Sequence, residues 1–240
     1  MLELSSLFEN YRSVKAPLSN HGSNSSNNSE SQLTRDIRRL ERDVLRMGAL
    51  TEKSFRLSHQ ALFARDLRAA LELPQIDKRI DTFYRQIELE CTLIMTSLAP
   101  TDRDLRCLSA FMQLVRDLER IGDYAEDLGE IAVKIFPYPQ HRLLPEIAMM
   151  SHHAQAMLAT SLVALADLDE VNARSIKYLD DTVDNAYERV YNALAQQHGI
   201  SGALEPYLLL GLAIRCLERM ADHATNIGQR VAYIVTGQRS

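Results

Sequence analysis

The sequence predicts an all-α protein: six long helices folded as two similar three-helix bundles in tandem. Apolar residues recur at helical spacing through almost the whole chain, with no strand-like alternation. Turn formers are few, with only 9 Gly and 7 Pro among 240 residues, so the helices are long. The second half of the chain also repeats the first. LERIGDYAEDLG (118–129) returns as LERMADHATNIG (217–228), with Leu, Glu, Arg, Asp, Ala and Gly identical.

Taken in order, residues 1–31 read as a flexible N-terminal extension. Their SNHGSNSSNNSES stretch (19–31) cannot bury enough apolar surface to offset the entropy of ordering. From Gln32 the helical pattern begins. Leu33, Ile37, Leu40, Val44 and Met47 fall 4, 3, 4 and 3 apart and form one helix face. The spacing predicts helices near 33–63, 66–98, 102–136, 141–166, 169–198 and 203–236. Thr101-Asp102-Arg103-Asp104 reads as a capping box for the third helix, with Asp in the place of the usual Glu. Leu105, Leu108, Phe111, Val115, Leu118, Gly122, Ala125 and Gly129 continue its apolar stripe. Pro137 and Pro139 forbid helix continuation and divide the chain into bundles over 32–136 and 141–237. A turn at 198–202 and Gly237 as a C-cap complete the outline.

The repeat extends beyond its most obvious segment. IDKRIDTFY (76–84) matches LDDTVDNAY (179–187), which sets Asp77 on Asp180, Asp81 on Asp184 and Tyr84 on Tyr187. The same offset sets Asp66 on Asp169 and Met47 on Met150. A period near a hundred residues marks a duplicated unit and not a solenoid.

Composition narrows the function. Net charge is −5, which disfavours general nucleic-acid binding. Cys91, Cys107 and Cys216 stand alone without a CxxC pair, so they read as buried small hydrophobes in a reducing compartment. The longest apolar run, residues 208–214, is too short to span a bilayer, and the N-terminus is a poor signal peptide. The expected location is the cytoplasm, with contact to membranes only as a peripheral partner of a membrane complex. The methionines read as core filling. The arginines of the first helix (35, 38, 39, 42 and 46), interleaved with acids, read as a mixed solvated face.

The candidate site lies in the acidic rows. Glu119, Asp123 and Asp127 stand four apart on one helix, and Glu218, Asp222 and Asn226 repeat them. Asp77 with Asp81, and Asp180 with Asp184, form shorter rows on the preceding helices. Like charges four apart repel by a few tenths of a kcal/mol. One such row alone is a wet helix face, with Arg116, Arg120, Arg215 and Arg219 at hand. Built twice in one chain, it becomes a candidate cation site. Carboxylates without Cys or His suit hard cations such as Mg²⁺, Mn²⁺, Ca²⁺ or iron. Gly122 and Ala221 are small enough to let helices approach beside the rows. Asp127 against Asn226 is the one difference in charge between the rows, so the first site is expected to hold metal the more tightly. His223, next to Asp222, points about 100° away round the helix and suits a supporting or surface role.

Residues 98–132, LAPTDRDLRCLSAFMQLVRDLERIGDYAEDLGEIA, resemble the first signature of PhoU proteins, and LERMADHATNIGQRVAYIVTG (217–237) resembles the second. The DxxxD segments at 77–81 and 180–184 fall where such proteins carry acids. The resemblance covers about residues 33–237 and implies two pseudo-symmetric three-helix bundles. It also implies metal, with iron, Mg, Mn and Zn all open, at Glu119 and Asp123 and at Glu218 and Asp222. It further implies a non-enzymatic regulator of phosphate uptake that links a phosphate ABC transporter ATPase to a phosphate-sensing histidine kinase. Such a regulator restrains both when phosphate is plentiful. A homodimer is expected. The enzymatic rival is a carboxylate-bridged metal oxidase or a metal-storage bundle. No Glu here has His three residues later, as ferritin-like sites require, and HExxH, P-loop and GxSxG motifs are absent.

Overall fold

The computed structural model describes residues 24–98, 100–197 and 202–238 and contains six helices, with no strand among the described residues. They are α1 (Asn24–Phe63), α2 (Leu67–Ser97), α3 (Asp102–Ile135), α4 (Leu144–Asp167), α5 (Glu170–Ala195) and α6 (Glu205–Thr236). Five begin within three residues of the expected start. The exception is α1, which begins at Asn24 and takes in the Ser/Asn-rich residues 24–31. Adding a residue to an existing helix gains one hydrogen bond per residue fixed, which offsets the modest helix propensity of Ser and Asn. The expected extension over residues 1–23 and most of the expected turn at 198–202 lie outside the described residues.

The helix ends follow local chemistry. Thr101 and Asp104 form the reciprocal capping box, with the Asp104 N–H donating to Thr101 Oγ1 at 3.3 Å and the Thr101 N–H donating to Asp104 Oδ2 at 3.0 Å. The repeat-matched Asp66 and Asp169 are both N-caps, for α2 and α5. The residues just before them, Arg65 and Leu168, both have positive φ, at 56° and 49°, so the duplication preserved the sharp turn between first and second helix. Gly237 closes α6 in the left-handed region at φ 75°.

Within each half, all three helices pack on one another. The halves join along α3 against α6 and, less extensively, along α1 against α4, so α2 and α5 lie outermost. One continuous core runs through both halves. Leu40, Val44, Met47, Leu114 and Leu118 fill the first, and Ile147, Met150, Met157, Leu217 and Met220 the second. Pairs across the seam obey a pseudo-two-fold. Gly48 would meet Leu162 if it carried a Cβ, while the repeat-equivalent residues of the other half, His59 and Ser151, hydrogen-bond at 2.9 Å. Cys91, Cys107 and Cys216 are buried and unpaired; burial first, then neighbouring carboxylates, pushes Cys91 and Cys216 up to about 12.

Candidate metal centre

Two carboxylate clusters form, one where α2 faces α3 and one where α5 faces α6. Small residues bring the helices close. A Cβ on Gly122 would lie 3.0 Å from Ile80 Cδ1 and 3.6 Å from Asp77 Oδ1. On Gly129 it would lie 2.3 Å from Leu73 Cδ1, and on Gly228, 2.6 Å from the Ala173 carbonyl oxygen. The approach sets Asp77 and Asp81 of α2 against Glu119, Asp123 and Glu126 of α3. In the second half it sets Asp180 and Asp184 of α5 against Glu218 and Asp222 of α6.

The electrostatics record the crowding. Burial, then the negative charges of Glu126, Asp123, Asp81 and Glu119, raises Asp77 from 3.8 to about 6. Burial, then Asp184 and Asp222, raises Asp180 to about 6. Burial followed by Asp123 raises Glu119, and burial followed by Asp222 raises both Asp184 and Glu218. Asp77 Oδ1 and Asp180 Oδ1 are both buried without a hydrogen-bond donor. The Thr225 hydroxyl lies near enough to Asp180 to temper its rise, yet the pair misses hydrogen-bond geometry and Thr225 Oγ1 is also unsatisfied.

Arginines neutralise part of each cluster at equivalent places. Arg120 pairs with Asp123 at 2.6 Å and Arg219 with Asp222 at 3.0 Å. Arg215 donates to both oxygens of Glu218 at 2.9 and 2.8 Å, and Arg85 pairs with Asp81. The donor set suits a hard cation, and each half aims one orphaned buried carboxylate oxygen into it. Among the described residues, no three His, Cys, Asp or Glu side chains converge closely enough to hold an ion as they stand.

The rows differ from their sequence reading at one end. A step of four advances 40° round a helix, so Asp127 and Asn226 lie about 80° from Glu119 and Glu218. Both turn toward the seam between the halves. Asn226 Nδ2 donates to Asp117 Oδ1 of α3 at 3.3 Å, and Asp127 lies near Cys216 of α6, the equivalent contact under the pseudo-two-fold. Glu126 joins the first cluster instead; seven residues from Glu119 is within about 20° of the same face, a signal the four-residue rows obscured. Its counterpart is Thr225, which is one charge difference between the clusters; Lys78 and Arg85 beside the first cluster stand where Asp181 and Glu188 stand beside the second, and these run the other way. His223 bridges the two halves, a contact its place in the helix did not announce. Its Nδ1 donates to Asp117 Oδ1 at 2.8 Å across the seam, and Asp117 is only 8% exposed.

A tandem six-helix bundle with a carboxylate cluster in each half defines a class of duplicated helical-bundle protein. The comparisons give the family. The PhoU domain matches twice, over residues 44–132 and 147–231, once in each bundle. The chain is 59% identical over 203 residues to the "Phosphate-specific transport system accessory protein PhoU homolog" of Synechocystis sp., covering 85% of this chain and 91% of that one. It is 31% identical over 208 residues to the homolog of the same name from Pseudomonas aeruginosa, covering 86% of each. The crystal structure of PhoU from Pseudomonas aeruginosa superposes with a TM-score of 0.80 at 30% identity, over 85% of this chain and 99% of that one. That of the phosphate transport system regulatory protein PhoU from Streptococcus pneumoniae shares the fold, with a TM-score of 0.79 at 24% identity over 87% of this chain and 99% of that one. The chain belongs to the PhoU family.

Proposed function

We propose that this protein regulates phosphate uptake as a cytoplasmic, non-enzymatic adaptor. It couples a phosphate ABC transporter ATPase to a phosphate-responsive sensor histidine kinase, restrains both when phosphate is plentiful, and works as a homodimer. The observation that carries the reading is the double PhoU match, one per bundle, with 59% identity to a named transport-system accessory protein across most of both chains. No helix among the described residues is long and apolar enough to cross a membrane, which suits a peripheral partner.

We also propose that each carboxylate cluster takes a metal ion. Asp77, Asp81, Glu119 and Asp123 hold one, and Asp180, Asp184, Glu218 and Asp222 the other. Support comes from the orphaned oxygens of Asp77 and Asp180 and from the repetition of the arrangement in both halves. The bound ion takes over the neutralising role of Arg120 and Arg219 at Asp123 and Asp222. Glu126 adds an acid beside the first site, whereas Asp181 and Glu188 stand beside the second in the places of Lys78 and Arg85, so the second site has the more negative surroundings and the greater affinity, the reverse of the order expected from Asp127 and Asn226.

Deleting the gene tests the regulatory reading. Phosphate uptake and phosphate-starvation transcription then persist in high phosphate, and the wild-type gene restores repression; unaltered regulation refutes the adaptor role. In the same series, elemental analysis of protein purified with metal present finds bound metal in the wild type and less in Asp123→Ala/Asp222→Ala. Equal metal in both, or none in the wild type, removes the site.

A further inference from the structure

The outer face of α4 carries no charge. Between Glu146 and Asp167 there is no Asp, Glu, Lys or Arg. A helix with no charged residue over twenty positions is normally covered on most of its faces. Here one side is open: Met149 and Val163 are 55% and 53% exposed, and His152 and Ala156 are exposed between them. Met149, Ala156 and Val163 are seven apart, the spacing of a straight stripe along a helix that packs on another helix.

The duplication supplies an internal comparison. At the offset of the repeat, Met149, Ala156, Ala159 and Val163 of α4 stand where α1 has Arg46, Lys53, Arg56 and Gln60. The same face of the same kind of helix is charged in one copy and uncharged in the other. Core packing does not account for the difference, because Met149, Ala156 and Val163 stand outside the core.

The two faces adjoin. α1 and α4 run antiparallel across the seam, and the gap between them is a groove of about 170 Å³ lined by Ala49, Glu52, Lys53, Arg56, Gln155 and Leu158. That is below the roughly 300–1,000 Å³ of small-molecule sites. It has room for side chains, not for a whole ligand. The α1 wall carries Lys53 and Arg56 against Glu52, and further along the same helix Arg42 and Arg46 stand against Asp43, in a chain of net charge −5. Lys53 pairs with the exposed Glu72 at 3.5 Å and the exposed Arg46 with the half-buried Asp43 at 2.9 Å, and ion pairs with an exposed member are worth little. Exposed apolar surface rimmed by charge marks an interaction site.

We propose that the α1–α4 face is the docking site for an amphipathic helix of a partner protein. The apolar side of that helix lies on the α4 stripe and fills the groove, and its acidic flank lies against the α1 arginines. An uncharged helix stripe beside a groove whose far wall carries Lys53 and Arg56 reads a helix in this way. The inference rests on the adaptor reading only for the partner's biological identity; the surface itself can be tested without it.

The test uses the full-length protein and a fluorescein-labelled designed helix, with Leu at its heptad a and d positions and Glu along one flank. A twin with Lys for Glu is the control. Fluorescence anisotropy finds micromolar binding of the Glu peptide and at least tenfold weaker binding of the Lys twin. Ala156→Glu and Val163→Glu each weaken the Glu peptide tenfold or more while circular dichroism and melting stay unchanged. Arg46→Glu/Arg56→Glu reverses the preference between the peptides. Equal affinity for both peptides, no binding at millimolar concentration, or insensitivity to the stripe variants overturns the proposal. So does a change in sedimentation on Ala156→Glu, which would make the face a contact between copies. Binding of phosphatidylglycerol vesicles without peptide binding would assign it to a membrane and overturn it equally.

Discussion

Asp77 and Asp180 occupy the same place in the two bundles, and both reach it with a buried oxygen that no donor meets. Each is raised from 3.8 to about 6 by burial and by neighbouring carboxylates. A carboxyl with a raised pKa favours the fold in its protonated form. Its stabilising contribution is complete below about pH 4 and is lost as pH rises through about 6. Replacing both by Asn mimics the protonated form. In chelator-treated protein, the melting temperature of Asp77→Asn/Asp180→Asn should match the wild type near pH 3.5 and exceed it by a few degrees at pH 8. Both groups are part-exposed, so screening keeps the gap below the full shift. Thermal melts at the two pH values check it; a gap that does not widen with pH contradicts the electrostatic account. The four acidic pairs were legible in the sequence because residues four apart share a face. Glu126 was not, because a single row of four-residue steps hides the seven-residue step beside it. The places of Asp127 and Asn226 depend on which side of α3 and α6 the other half packs against, and spacing within one helix does not contain that.

At the scale of the element, the helices were legible because their signals are local. Apolar spacing, the Thr101 capping box, the proline break and Gly237 each act over a few residues. Two kinds of boundary were not local. The start of α1 at Asn24 reflects propagation from an established helix, and the left-handed turns at Arg65 and Leu168 use residues whose side chains disfavour that conformation. The glycines of α6 show how tertiary context decides a substitution. A Cβ at Gly228 would lie 2.6 Å from the backbone oxygen of Ala173, which cannot rotate away, whereas at Gly211 it would meet nothing within 4 Å. Gly228→Ala should therefore destabilise by about 1–3 kcal/mol through overpacking of α5 on α6. Gly211→Ala should stabilise by about 0.5–1 kcal/mol, the ordinary helix gain. Urea melts of the two variants should move in opposite directions; movement in the same direction would mean that α5 and α6 do not approach so closely at Gly228.

For the whole molecule, the sequence announced two halves but not the seam that joins them. Apolar stripes say that helices bury a face, and two copies of one stripe do not say which polar residues end up between the copies. Asp117, His223 and Asn226 meet across α3 and α6, and His59, Ser151 and His152 across α1 and α4. The second cluster should make the joint sensitive to acid. His59 donates to or accepts from Ser151 Oγ at 2.9 Å, and its ring lies 4.4 Å from His152 and 4.7 Å from Phe63. Burial, and then the charge of His152, lowers it from 6.5 to about 4. A histidine with a lowered pKa favours the fold in its neutral form. Its contribution is whole above about pH 6.5 and is lost as pH falls toward 4. The opposite contribution of Asp77 and Asp180 falls in much of the same window, so the wild-type profile alone does not separate them. His59→Asn does, because its amide stands in for Nδ1 beside Ser151 Oγ and has nothing to protonate; Leu, which suits the equivalent place opposite Gly48, would crowd Ser151, since even a Cβ on Gly48 would lie 2.5 Å from Leu162 Cδ2. Ser151 keeps a donor in Gln155 Nε2 at 3.3 Å. The variant should melt close to the wild type at pH 7.5 and a few degrees above it at pH 5, where the wild type must suppress protonation of the seam and the variant has nothing to protonate. If instead the difference is constant between pH 7.5 and 5, His59 contributes only its packing, and the acid sensitivity of the joint lies elsewhere.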